Sequence, residues 1–236
     1  MSVLQRLMFP AGYVRVLRSL RRKATAYWTL NSGSWLDSVG SNNLAETNDV
    51  TLGTGIQGGA AQFTIAASTT LSIADNAALS MGDGEFTWIA WPNLDAKVGQ
   101  QAIISKRNVA QENALYYEPA VPDEYSFILT DNVPTAVVVE SNYSPTAGVW
   151  DFVAAWRDKI AQTINIQVNM GTINSTAFTG TVADSDGAFV LGGLAAGASS
   201  ILGGRIDEVG IFKGVVLTQN ELNVIYRSRV CRPLWR

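Results

Sequence analysis

The sequence predicts an all-β fold, a two-sheet antiparallel sandwich with one short C-terminal helix and a basic N-terminal arm. Two observations carry that expectation. Short runs of alternating apolar and polar residues recur through most of the 236 residues, with Gly, Pro, Asn and Asp between them. About a dozen such runs at close spacing suit two packed sheets. Composition agrees: 47% of residues are apolar and 16% charged, which suits a chain that builds a core.

Residues 1–24 form the arm. Pro10-Ala11-Gly12 reads as a turn. Beyond it Tyr13, Val16, Leu17 and Leu20 recur at helix spacing, with arginines on the rest of the wheel. Residues 26–30 begin the sandwich, and residues 31–43 are a loop rich in Ser, Asn and Gly. Alternation over residues 62–65 and 70–73 gives two half-buried strands. Residues 86–91 are apolar on both faces, so that strand lies centrally or under a further surface. Strands are expected at 114–118, 125–129 and 136–140, bounded by Pro119, Pro122, Pro134 and Pro145.

Trp150, Phe152, Ala154 and Trp156 line one face of the next strand, and Ile164, Ile166 and Val168 one face of its neighbour. Residues 187–193 and 203–212 complete the set. The helix follows. Thr218 precedes Glu221 by three residues, the spacing of a capping box, and Leu217 and Leu222 flank it as a hydrophobic staple. Leu222, Ile225 and Tyr226 then share one face.

That closing stretch, Gly-Arg-Ile-Asp-Glu-Val-Gly-Ile-Phe over residues 204–212 and Leu-Thr-Gln-Asn-Glu-Leu-Asn-Val-Ile-Tyr over 217–226, resembles the end of laminin-G-like domains. These are concanavalin A-like jelly rolls. Residues 84–91, 103–106, 149–156 and 164–171 resemble further strands of the family, in family order. The resemblance implies a jelly-roll domain over residues 25–228, between the arm and a basic tail at 229–236. It implies no single function, because the fold hosts many. Asn169-Met170-Gly171 departs from the family's Asn-Gly turn and suggests a longer hairpin or a bulge.

Catalytic chemistry is poorly provided for. The chain has no histidine, so it holds no Ser-His-Asp triad, Cys-His dyad or His-ligated metal. Its one cysteine, Cys231, excludes an intrachain disulfide. Glucanases of the family carry three acids on one strand face, a pattern missing here. Asp207 and Glu208 are adjacent, so on a regular strand they point to opposite faces. Asp83 and Glu85 are read as a solvated turn rather than an acid–base pair. The resemblance admits a structural calcium, with Asp184 and Asp186 as loop candidates; no cofactor is expected. Trp28, Trp88, Trp150 and Trp156 match core positions of the family. Trp35, Trp91 and Trp235 do not, and Trp35 and Trp91 are candidates for stacking on a sugar.

Charge is segregated. Residues 1–24 hold Arg6, Arg15, Arg18, Arg21, Arg22 and Lys23 and no acid; residues 227–236 hold Arg227, Arg229, Arg232 and Arg236 and no acid. The other 7 of the 17 bases share residues 25–226 with all 20 acids, a formal charge of −13. No apolar run is long enough to span a membrane, and the arginines interrupt any secretory h-region. The expectation is therefore a non-enzymatic adhesion protein, an accessory subunit of a phage virion. It would dock on virion proteins or copies of itself through Arg6, Arg15, Arg18, Arg21, Arg22, Lys23, Arg229, Arg232 and Arg236. The alternative is an extracellular carbohydrate-binding module, and after it a glycoside hydrolase of the same fold. Nucleic acid is not the expected partner, since its binders spread bases over the folded face as well.

Overall fold

The structure, a computed structural model, describes residues 11–107, 112–119, 123–133, 135–184, 186–194 and 199–228, and of residues 11–14 and 112 only the backbone. Arg6, the Pro10 turn, Arg229, Arg232, Trp235 and Arg236 lie outside the described residues, as does the Tyr13 side chain. In chain order, helix α1 (Ala11–Lys23) precedes β1 (Ala26–Trp28), β2 (Ala45–Thr47), β3 (Thr51–Thr54), β4 (Gly59–Phe63) and β5 (Thr70–Ile73). Then come β6 (Phe86–Leu94), β7 (Gln101–Arg107), β8 (Glu112–Glu118), β9 (Glu124–Thr130) and β10 (Ala136–Glu140). The chain ends with β11 (Val153–Asp158), β12 (Thr163–Val168), β13 (Ile173–Ala177), β14 (Phe189–Leu191), β15 (Gly204–Lys213) and helix α2 (Gln219–Ser228).

These strands form the expected antiparallel sandwich. One sheet runs β13-β12-β11-β6-β15-β4-β3, with β1 added beside β15; the other runs β10-β9-β8-β7-β14-β5-β2. Strand β15 is the hinge of the first sheet. It pairs with β6 along its length, while its other side takes β4 at Gly204–Ile206 and β1 at Val209–Ile211. Between the sheets Trp28 stacks on Phe189 at 5.4 Å, and Trp88 meets Phe127 edge-on at 5.7 Å. Trp28 and Trp88 are fully buried, as core positions should be.

Strand β6 explains the third layer. Its inward residues Phe86, Trp88 and Ala90 enter the inter-sheet core, while Ile89 and Trp91 face outward and are just as buried. Apolar groups on that outer face must be removed from water. Helices α1 and α2 cover them. Val16, Leu17 and Leu20 of α1 and Leu217, Leu222, Val224 and Ile225 at α2 pack on Tyr27, Ile89, Trp91, Phe152, Ala154 and Trp156. The face lined by Phe152, Ala154 and Trp156 thus packs under helices rather than between sheets; Trp150, at its end, is only half-buried.

The α2 start forms as its residues predict. Glu221 N donates to Thr218 Oγ1 at 3.2 Å, and Thr218 N donates to Glu221 Oε2 at 3.0 Å. Burial pushes the Glu221 carboxyl up, but Lys23 and the Thr218 cap outweigh it and hold it below its usual range. Asn169 and Met170 both have positive φ, and Gly171 N donates to Val168 O at 2.8 Å. The turn at 169–170 is of the primed kind, with Met170 where glycine is favoured, but Gln167 pairs with Ile173, which leaves one residue more than a two-residue hairpin needs; the connection is the longer, bulged hairpin that the inserted Met suggests.

Candidate functional site

The described part of the basic arm, α1, is not a free extension. Helix α1 lies on the outer face of the first sheet, held by Leu20, which is fully buried, and by a Lys23 Nζ–Glu221 Oε1 ion pair at 2.5 Å. Its last turn carries Arg21, Arg22 and Lys23, where the helix dipole favours cations. Arg15, Arg18 and Arg22 recur at i, i+3 and i+7 and so share a face, with Arg21 beside them. All four are exposed, and among the described residues none has an ion-pair or hydrogen-bond partner. Packed helix, inward apolar stripe and outward arginines make a cationic face on a body of opposite net charge. Lys23, in contrast, is engaged inside the fold.

The two sugar-stacking candidates do not face solvent. Trp91 is 2% exposed, with its ring stacked on Tyr226 at 5.7 Å and against Phe152 at 5.1 Å. Trp35 is 7% exposed and donates its indole N–H to Glu46 Oε2 at 2.9 Å. Both rings fill core space because the helical layer and the loop of residues 29–44 close over them. The two-sided apolar pattern of residues 86–91 was the signal for Trp91, since it demands a cover.

The carboxylates are likewise engaged by partners within the fold. Glu208 has φ +50°, and the β15–β6 register shifts between Asp207 and Gly210. This bulge overrides strand alternation. Ile206 and Val209 enter the inter-sheet core, and both acids are turned away from it. Glu208 Oε2 accepts from Tyr27 Oη at 2.5 Å and Oε1 from Asn31 Nδ2 at 3.3 Å. Asp207, fully buried, accepts from the Ile56 amide at 2.9 Å and the Gln57 amide at 3.4 Å. Burial, helped by the neighbouring Glu208 charge, pushes the Asp207 carboxyl up to about 8. Gly55 must be small here, since a Cβ would lie 2.6 Å from Asp207 Oδ2.

Asp83 meets Lys159 and Arg157, each at 2.7 Å. The hydrogen bond from Lys159, against some desolvation, holds its carboxyl below the usual range. Asp151, fully buried and missed in the sequence, accepts from Tyr125 Oη at 3.0 Å, Tyr143 Oη at 2.7 Å and Asn169 Nδ2 at 2.6 Å. Burial first, then Asp151, raises the Tyr143 hydroxyl to about 12. Asp184 and Asp186 are exposed, and among the described residues no three His, Cys, Asp or Glu side chains come together as a metal site.

Known structures share this architecture. The binding domain of Paraclostridial Mosquitocidal Protein 1 superimposes with a TM-score of 0.70 at 13% identity, over 92% of this chain and 55% of that one. Domain 4 of AbnA, a GH43 extracellular arabinanase from Geobacillus stearothermophilus, in complex with arabinotriose, gives 0.69 at 16% identity, over 86% and 98%. Botulinum neurotoxin type C, whose cell entry depends on interaction with two ganglioside molecules, gives 0.70 at 12%, over 90% and 53%. The chain thus spans about half the length of the toxin chains and nearly all of the arabinanase domain. At these identities the likeness establishes the fold alone. A search of curated proteins found no match. The sequence itself matches one family model over residues 65–223, which include β6, the β15 motif and the cap of α2. The chain belongs to the concanavalin A-like lectin/glucanases superfamily.

Proposed function

We propose that this protein is a non-enzymatic adhesion subunit of a phage virion, a capsid decoration or tail/fibre component that docks through α1 and displays its jelly roll outward. One observation carries the reading: four outward arginines without partners among the described residues sit on a helix clamped to a body whose formal charge is −13. Such a charge separation steers the helix face toward an acidic surface. Catalysis is disfavoured by the same geometry. The acids of β15 are buried, Asp83 is held by two cations, and the chain has no histidine.

A second reading is an extracellular carbohydrate-binding module. It is favoured by the arabinanase domain, which this chain spans almost fully and which holds arabinotriose. Light scattering of the purified protein at low and high salt separates the two. A docking subunit self-assembles or joins particles at low salt and dissociates as salt screens the arginines. A module stays monomeric at every salt concentration and binds a glycan.

A further inference from the structure

The helical layer stops short of one end of the first sheet, and beyond it the outer face of that sheet carries a polar row. Gln62 of β4, Arg205 of β15 and Asn93 of β6 stand opposite one another in register. Gly148 N donates to Leu94 O and Asp151 N to Pro92 O, which lays residues 148–151 along the far edge of β6. That brings Trp150 to the end of the row, and the Arg205 guanidinium lies over its indole at 5.4 Å. Arg205 Nη2 donates to Asn93 Oδ1 at 3.0 Å and Nη1 to Thr54 O at 3.1 Å. Asp95 closes the group, taking a bond from Gln62 Nε2 at 3.1 Å and standing 4.0 Å from Arg205.

Two donors are left over. Asn93 is fully buried, yet among the described residues its Nδ2 has no acceptor, and neither has Arg205 Nε. The Arg205 bond fixes the orientation of the amide, so flipping Asn93 does not remove the deficit. Buried donors without acceptors are costly, and native folds seldom keep them without a reason. Beside them stand a carboxylate that is 52% exposed, a half-buried indole and Val149, 47% exposed.

We infer that this row is a binding site for a neutral saccharide. An anion would face Asp95, and a cation would face Arg205. A polyol avoids both conflicts, because each hydroxyl both donates and accepts. One hydroxyl oxygen takes the Asn93 and Arg205 donors after a small shift of the Arg205 side chain, and its neighbour donates to Asp95. The C–H face of the ring lies on Val149 and the open part of Trp150. The inference rests on reading the jelly roll as a ligand-displaying module and names the place where it does so.

The test titrates the full chain with neutral trisaccharides (cellotriose, xylotriose, maltotriose and mannotriose), and with a trisaccharide of galacturonic acid as the anionic control. Calorimetry gives affinity, and the indole N–H signal of Trp150, assigned by its loss in Trp150→Phe, gives location. At least one neutral sugar should bind and shift that signal. Asp95→Asn and Asn93→Ala should each weaken it at least tenfold; Asp95→Asn, at an exposed position, leaves the melting temperature unchanged. Binding that ignores Asp95→Asn and leaves the Trp150 signal still overturns this site while sparing the module reading. Binding of the uronate alone overturns the neutral class. Binding of none of the sugars overturns the site as proposed, whereas the docking reading stands or falls on assembly.

Discussion

A carboxyl group sealed from water keeps its proton to a higher pH than one in solution. Asp207 is such a group, covered by the hairpin of residues 55–58 and raised from an ordinary value of 3.8 to about 8. The folded chain therefore holds a proton that the unfolded chain releases. Its stabilising effect is complete below about pH 4 and is lost as pH rises to about 8, at about 1.4 kcal/mol per pH unit. Asp75 and Asp83, lowered by their bonds from Lys106 and Lys159, act the opposite way and lose their contribution in acid. Asp207→Asn keeps acceptors for the Ile56 and Gln57 amides and has nothing to titrate. Urea unfolding from pH 5 to 9 should show a stability decline in the parent that is largely flattened in the variant; parallel curves would mean that Asp207 is ionised throughout. The Ile-Asp-Glu-Val motif was legible in the sequence, but its geometry was not. Alternation predicts opposite faces for adjacent residues, and no residue type in that pair announces a left-handed Glu208.

At the scale of elements, α2 could be read almost residue by residue, because a helix start depends on local spacing. Thr218, Glu221, Leu217 and Leu222 occupy the positions their order implies. Thr218→Ala should cost about 1 kcal/mol in thermal or urea unfolding, and Thr218→Ser much less, since the serine hydroxyl still accepts from Glu221 N. Equal losses would assign the effect to the methyl group instead. The strands were legible for the same local reason, and the two-sided apolarity of β6 signalled a missing layer. What covers it was not legible. The stripe of Val16, Leu17 and Leu20 shows that α1 has an apolar face, but periodicity does not say which surface that face meets. The contact joins residues nearly 200 positions apart, such as Lys23 and Glu221.

For the whole molecule, the consequence is that α1 belongs to the fold and also carries its charge outward. Removing residues 1–24 takes Val16, Leu17 and the fully buried Leu20 out of the apolar cluster that includes Tyr27, Ile89 and Leu222, so the truncated chain should melt well below the parent or collect in inclusion bodies. An unchanged melting temperature would show that the sandwich is complete without α1. Truncation is therefore a poor probe of docking, because it disturbs the core as well as the charge. Replacing Arg15, Arg18 and Arg22 together by Glu reverses the exposed face and leaves Leu20 and the Lys23–Glu221 pair in place. The decisive measurement is the light-scattering mass of this triple variant beside the parent at low salt, with both melting temperatures recorded. The docking account predicts assembly of the parent, dissolved by high salt, and a folded monomer for the variant with little change in melting temperature. A variant that assembles as the parent does, or a parent that is monomeric at every salt concentration, would contradict it.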